Sequence, residues 1–216
     1  MFNDCTEGKG PVVTRELNLD EFNSLQLSGS DKMYISQGAE QEVLVEGQQN
    51  VIDRIDLTVS NGFWNTRTRG CLRRYEQLVY FVTLPEINHL SLTGSGEIIV
   101  ENTVESTNLE IKVTGSGSIK ADVDADVDCE ITGSGEIFLS GNSGYAEVDL
   151  TGSGTYDSFG LETDQVEVTI QGSGDAYVTA LEKLNVRITG SGNVYYKGNP
   201  LINSSGTGSG KLISRN

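Results

Sequence analysis

Val148-Asp149-Leu150-Thr151-Gly152-Ser153-Gly154-Thr155-Tyr156 alternates apolar and polar side chains, breaks at a serine between two glycines, and resumes on an apolar residue. The pattern recurs along the chain. Gly-Ser-Gly stands at 94–96, 115–117, 133–135, 152–154, 172–174, 190–192 and 208–210, at intervals of 21, 18, 19, 20, 18 and 18 residues. Flexible linkers do not keep phase, so seven copies at near-constant spacing mark a structural repeat. Ser28-Gly29-Ser30 is an outlying relative.

The flanks define the repeat unit. Four and two residues before the first glycine come Leu90/Leu92, Ile111/Val113, Cys129/Ile131, Val148/Leu150, Val168/Ile170 and Val186/Ile188. Ser91, Lys112, Glu130, Asp149, Thr169 and Arg187 lie between them, the strict period of two that marks a strand with one buried face. Four residues after the first glycine come Ile98, Ile119, Ile137, Tyr156, Ala176 and Val194, the inward residues of a second strand.

A unit of 18–21 residues is too short for a propeller blade of ~40–45 residues or for a strand with a crossover helix of ~30. It fits one coil of a parallel β-helix. The expected fold is therefore all-β: a single right-handed parallel β-helix with Gly-Ser-Gly corners, capped by an irregular N-terminal region. The serines are expected to stack about 4.8 Å apart and to hydrogen-bond from coil to coil. The alternative is an antiparallel sandwich with Gly-Ser-Gly in hairpin turns. It explains less, because hairpin turns need not be identical at every second strand.

Residues 1–11 read as a flexible segment and 12–213 as one β-helical domain, with irregular coils and a cap over 12–85 and regular coils over 86–213. Within the irregular part, 37–47 and Val79–Leu84 read as strands, and 49–55 as one helical turn.

Composition narrows the function classes. Of 216 residues, 31 are acidic and 15 basic, a net charge of −16. Nucleic-acid binding is disfavoured, because neutralising phosphates takes Lys and Arg. The single histidine, His89, excludes any site built on two imidazoles and reads as a surface or packing residue. Cys5, Cys71 and Cys129 lie far apart with no zinc-like spacing, and no cofactor is expected. Cys129 falls in the inward column and reads as a small buried hydrophobe. At most one disulfide can then form, and Cys5 and Cys71 are the pair left for it. No apolar run approaches the ~18 residues of a membrane span, and no signal peptide is visible, though a chain exported without its signal would look the same.

One ordered set of motifs resembles a known family. Glu21-Phe22-Asn23-Ser24-Leu25, Ser28-Gly29-Ser30 and Tyr34-Ile35-Ser36-Gln37-Gly38 resemble the start of the putative auto-transporter adhesin head GIN domain. Val82-Thr83-Leu84-Pro85 and then Leu92-Thr93-Gly94-Ser95-Gly96 resemble its middle. The resemblance spans roughly 12–213. It implies an exported, adhesin-like domain of the cell envelope, common in Bacteroidetes, β-helical and without catalytic residues to carry over. Phe2-Asn3-Asp4 before Cys5 is not a lipobox, so a lipid anchor at Cys5 is not expected.

The sequence therefore reads as a non-catalytic envelope or adhesion module. The alternative is a carbohydrate-acting β-helix enzyme using acidic residues, and partners range over a glycan, a lipid head group, a protein surface or a second copy. Asp122, Asp124, Asp126 and Asp128 alternate with Val123, Ala125 and Val127 and read as a solvated outward face. The expected ligand surface is Trp64, Arg67, Arg69, Arg73, Arg74 and Tyr75, where aromatics adjoin concentrated positive charge. The chain reads as polarised, basic near the cap and acidic along the coils, with head-to-tail association as the consequence.

Overall fold

The structure is a computed structural model that describes residues 5–216. Strand covers 68% of the described residues, in a parallel β-solenoid of about seven turns. Each coil pairs with the next in parallel and in register. Leu90, Ile111, Cys129, Val148, Val168 and Val186 form one inward column, each at most 4% exposed. Ile98, Ile119, Ile137, Tyr156, Ala176 and Val194 form a second, all fully buried. The period-two alternation sends every second side chain inward, and stacking buries it against the equivalent residue of the next coil. All first glycines of the corners fall in one column from Gly29 to Gly208, so the antiparallel alternative is excluded. Burial pushes the free Cys129 thiol well above its ordinary pKa.

The two glycines of a corner answer different demands. Gly152 has φ +119°, a conformation that glycine alone adopts readily, and a Cβ there would lie 2.4 Å from the Gly133 carbonyl oxygen. Gly154 has no such φ, but its Cβ would meet the Gly135 carbonyl oxygen at 2.5 Å. What ties corner to corner is backbone. The Ser153 amide donates to the Gly133 carbonyl at 2.8 Å, and the other corners repeat this bond. The expected ladder of serine hydroxyls forms at a single step, Ser209 to Ser191 at 3.2 Å, because the amides already supply the link.

The N-terminal part departs from chain order. Ser24–Gly29 pairs with His89–Gly94 on one side and with Phe63–Asn65 on the other. Lys32–Gln37 likewise lies between Glu97–Val100 and Val79–Leu84. The chain thus lays one coil, adds Phe63–Leu84 on its outer side, then crosses back to begin the regular stack. Ser28-Gly29-Ser30 is a true corner, in register with Thr93-Gly94. Glu42–Gln48 runs antiparallel to Val79–Leu84, and Val12–Glu16 antiparallel to Glu42–Gln48. These strands cover the end of the stack, whose backbone would otherwise stand unpaired. Gln49–Ile52 forms one helical turn that plugs Val51 and Ile52 into the core.

The first residues are anchored where a flexible segment was expected. Cys5 is disulfide-bonded to Cys71, with Cα atoms 4.6 Å apart, and Thr6–Glu7 pairs with Leu72–Arg73. Residues 1–4 of that segment lie outside the described residues. At the other end, Ser204 and Gly206 take the places of Val186 and Ile188 in the inward columns, so the last coil brings no large side chain to these positions, while Leu201 and Ile202 stand exposed.

Asp31 stands where the regular corners have their second glycine. The coil outside it lacks a corner, and the Asp31 side chain fills the gap, accepting the Leu78 amide at 3.2 Å. Only 5% of Asp31 is exposed, and burial raises its pKa from 3.8 to about 6. A carboxyl that is harder to ionise in the folded chain binds more protons there than in the unfolded chain. Its stability contribution therefore rises as pH falls through about 6 toward 4. Asp31→Asn is expected to stabilise the protein at pH 7.5 by up to about 3 kcal/mol, and to add little at pH 4. Urea unfolding of both proteins across this range checks it. An equal difference at both pH values would mean that the carboxyl is not the cause.

Candidate functional site: the arginine loop of the cap

Between Asn65 and Val79 the chain leaves the stack and returns, and this excursion carries the arginines. Its backbone is held by the rest of the cap. The Asp56 amide donates to the Arg67 carbonyl at 2.8 Å, and the Arg69 amide to the Arg54 carbonyl at 2.6 Å. Arg67 reaches Asp56 at 3.7 Å, while Arg73 and Arg74 share Glu7 at 3.1 and 3.6 Å. All four arginines are largely exposed, so these surface pairs are worth at most about 1 kcal/mol each and leave the guanidinium groups open to other anions.

Trp64 does not belong to this surface. It is fully buried, its indole N–H donates to the Asp56 carbonyl at 3.0 Å, and its ring packs on Phe22 and Tyr80. It is in register with Leu25, so it falls in the inward column of the outermost coil. Tyr75 is half-buried against the core, and burial raises its pKa, helped by the Asp31 charge.

The structure adds two cations that the sequence did not bring together. Thr6, Lys9, Asn50, Asp53, Arg54 and Arg69 line an open hollow of about 630 Å³. The disulfide and the Thr6–Glu7 strand place Lys9 there, and the Asn50 side chain accepts its amide at 2.9 Å. Asp53 is engaged by Arg15 at 2.6 Å, which holds its carboxyl below the usual range. Lys9, Arg54 and Arg69 make no ion pair among the described residues. Three cations around an open hollow can take an anionic group by charge-assisted hydrogen bonds.

The outward face of the coils has the opposite character. Glu110, Asp128, Glu147 and Glu167 are in register on successive coils. Burial and the neighbouring carboxylates raise the pKa values of Asp128 and Glu147. His89 extends this row, contacting Glu110 at 2.9 Å and packing its ring at 62° to that of Phe63. In the aspartate run, Val123, Ala125 and Val127 are buried as expected. Asp122 accepts the Thr103 and Ser140 hydroxyls at 2.7 and 2.8 Å, and Asp126 accepts the Tyr145 amide at 2.8 Å. These carboxylates are used in bonds from coil to coil.

The expected polarity is corrected. Residues 5–85 carry eleven acidic and eight basic residues, so the cap is net negative and the arginine loop is a local patch on it. The basic pole lies at the far end, where residues 183–216 hold five basic residues and no acidic one.

A family model described as putative auto-transporter adhesin, head GIN domain, matches residues 21–200. The chain belongs to this family. The head GIN domain match takes in the arginine loop and six of the seven Gly-Ser-Gly corners. Solved structures share the fold. A putative adhesin from Bacteroides fragilis is 24% identical with TM-score 0.87, over 97% of this chain and 100% of its own. A putative lipid binding protein from Parabacteroides distasonis is 24% identical with TM-score 0.80, over 99% and 100%. A putative adhesin from Parabacteroides merdae is 19% identical with TM-score 0.80, over 99% and 100%. No curated protein sequence matches the chain.

Proposed function

We propose that this head GIN domain is a non-catalytic module of the exported cell envelope that holds an anionic ligand at the cap. The observation that carries this reading is the convergence of Lys9, Arg54 and Arg69 on one hollow beside Arg67, Arg73 and Arg74. The solenoid is a rigid stalk that presents this surface, and the acidic coils keep other anions away. The ligand chemistry is a carboxylate or phosphate oxygen. An acidic glycan and a phospholipid head group both present such oxygens, and one neighbour is named a putative lipid binding protein.

Replacing Arg67, Arg69, Arg73 and Arg74 by Ser tests the reading on two probes, a carboxylated-glycan array and phosphatidylglycerol vesicles. Binding to one probe is expected to weaken at least tenfold with the coils still folded by circular dichroism. It is also expected to fade as salt shortens the screening length below about 8 Å. The probe that responds identifies the source. Unchanged binding of the quadruple variant would remove the loop from the site, and turnover of any polysaccharide would replace the module reading with an enzyme.

A further inference from the structure

The two ends of the solenoid are unlike, and each leaves a strand with one free edge. At the C-terminal end, Leu201–Gly208 pairs only with Lys183–Gly190, and Leu212–Ser214 only with Val194–Lys197, among the described residues. All eight residues of Leu201–Gly208 are exposed, and the strand holds no charge, proline or bulge, the devices that usually blunt an edge. At the capped end, Val12–Glu16 pairs only with Glu42–Gln48 among the described residues.

The directions of these edges match. Val12–Glu16 runs antiparallel to Glu42–Gln48, and that strand antiparallel to Val79–Leu84. Val79–Leu84 is parallel to Lys32–Gln37 and, coil by coil, to Leu212–Ser214. Two reversals restore the original sense. A second copy set end to end would therefore continue the same sheet, with Leu212–Ser214 parallel to the next molecule's Val12–Glu16.

Charge matches as well. The tail contributes Lys197, Lys211 and Arg215 with no acid, while the cap strands that would meet it carry Glu16, Glu42 and Glu46. The basic residue among them, Arg15, is already paired with Asp53.

We propose that copies of this chain stack head to tail, the C-terminal coil of one docking on the Val12–Glu16 edge of the next. The two surfaces differ, so the contact does not close on itself, and it builds linear strings rather than a symmetric dimer. The docking edge adjoins the hollow, since its Arg15 pairs with Asp53 on the rim, but the stack needs no anion bound there.

Sedimentation velocity of the full chain tests this from about 5 to about 200 µM, in about 0.02 M salt and again in about 0.5 M, where screening is several-fold shorter. The sedimentation coefficient is expected to climb with concentration in low salt and to stay near the monomer value in high salt. Lys211→Glu with Arg215→Glu, and separately Glu16→Lys with Glu46→Lys, are each expected to weaken association at least tenfold. An equal mixture of the two variants restores it, because each new charge then meets its opposite, and this also shows that both variants are folded. A monomer at every concentration in low salt overturns the proposal, as does association indifferent to both charge reversals. A monomer in solution that co-sediments through its tail with phosphatidylglycerol vesicles would overturn it too, and assign this end to a membrane surface.

Discussion

Gly152→Ala is expected to cost at least about 4 kcal/mol, enough to unfold a domain whose total stability is ~5–15 kcal/mol. Two penalties add. The backbone at φ +119° is a conformation that L side chains rarely adopt, worth about 1–3 kcal/mol. The new methyl would also sit 2.4 Å from the Gly133 carbonyl oxygen. That oxygen cannot move aside, since it accepts the Ser153 amide and its own coil is clamped by the next. In a stack where each coil touches only its neighbours, one opened joint frees both sides. Gly10→Ala is the matched control. Gly10 also has positive φ, at +82°, but nothing lies within 4 Å of its Cβ position, so only about 1 kcal/mol is expected. Urea unfolding of the two variants measures the difference. Equal losses would mean that the corners do not pack as tightly as described.

Removing the disulfide is expected to have the next largest effect, and a local one. Cys5 and Cys71 are 66 residues apart, and closing a loop of that length in the unfolded chain is worth about 4 kcal/mol by chain entropy. The loop takes in the first coil and the cap except Val79–Leu84, while the regular stack from His89 onward lies outside it. Cys5→Ala with Cys71→Ala should lower the unfolding midpoint of the cap while the regular coils hold to a later transition. It should also weaken anion binding, because Lys9 and Thr6 reach the hollow through this anchor. Hydrogen exchange read separately for the cap and the coils resolves the two parts. Identical protection of the cap with and without the bridge would count against the anchor.

The regular coils were legible because their determinants are local. Inward and outward sides follow from a period of two, and the corner follows from glycines that no side chain can replace. Constant spacing then brings equivalent positions together, which is why Cys129 could be placed in the core from its alignment with Val148 and Val168. The cap was legible only in pieces. Val79–Leu84 was recognisable as a strand, and the turn at Gln49–Ile52 as helical, yet nothing near them says which neighbour each would choose.

That choice is made by long-range pairing. Trp64 looked like a ligand-binding aromatic because arginines follow it in the chain, but its pairing with Leu25 turns the ring into the core. Asp31 became a buried acid because the coil outside it has no corner to stack on. Lys9, Arg54 and Arg69 are scattered in sequence: the Arg69 amide bonds the Arg54 carbonyl, and Lys9 joins them because a disulfide and two short strands fold the first residues back. Alternation and glycine conformation act over a few residues, so the sequence carries the solenoid and its core. The hollow proposed to hold an anion depends on contacts between segments dozens of residues apart, where no local signal reaches, and so the tertiary structure alone assembles it.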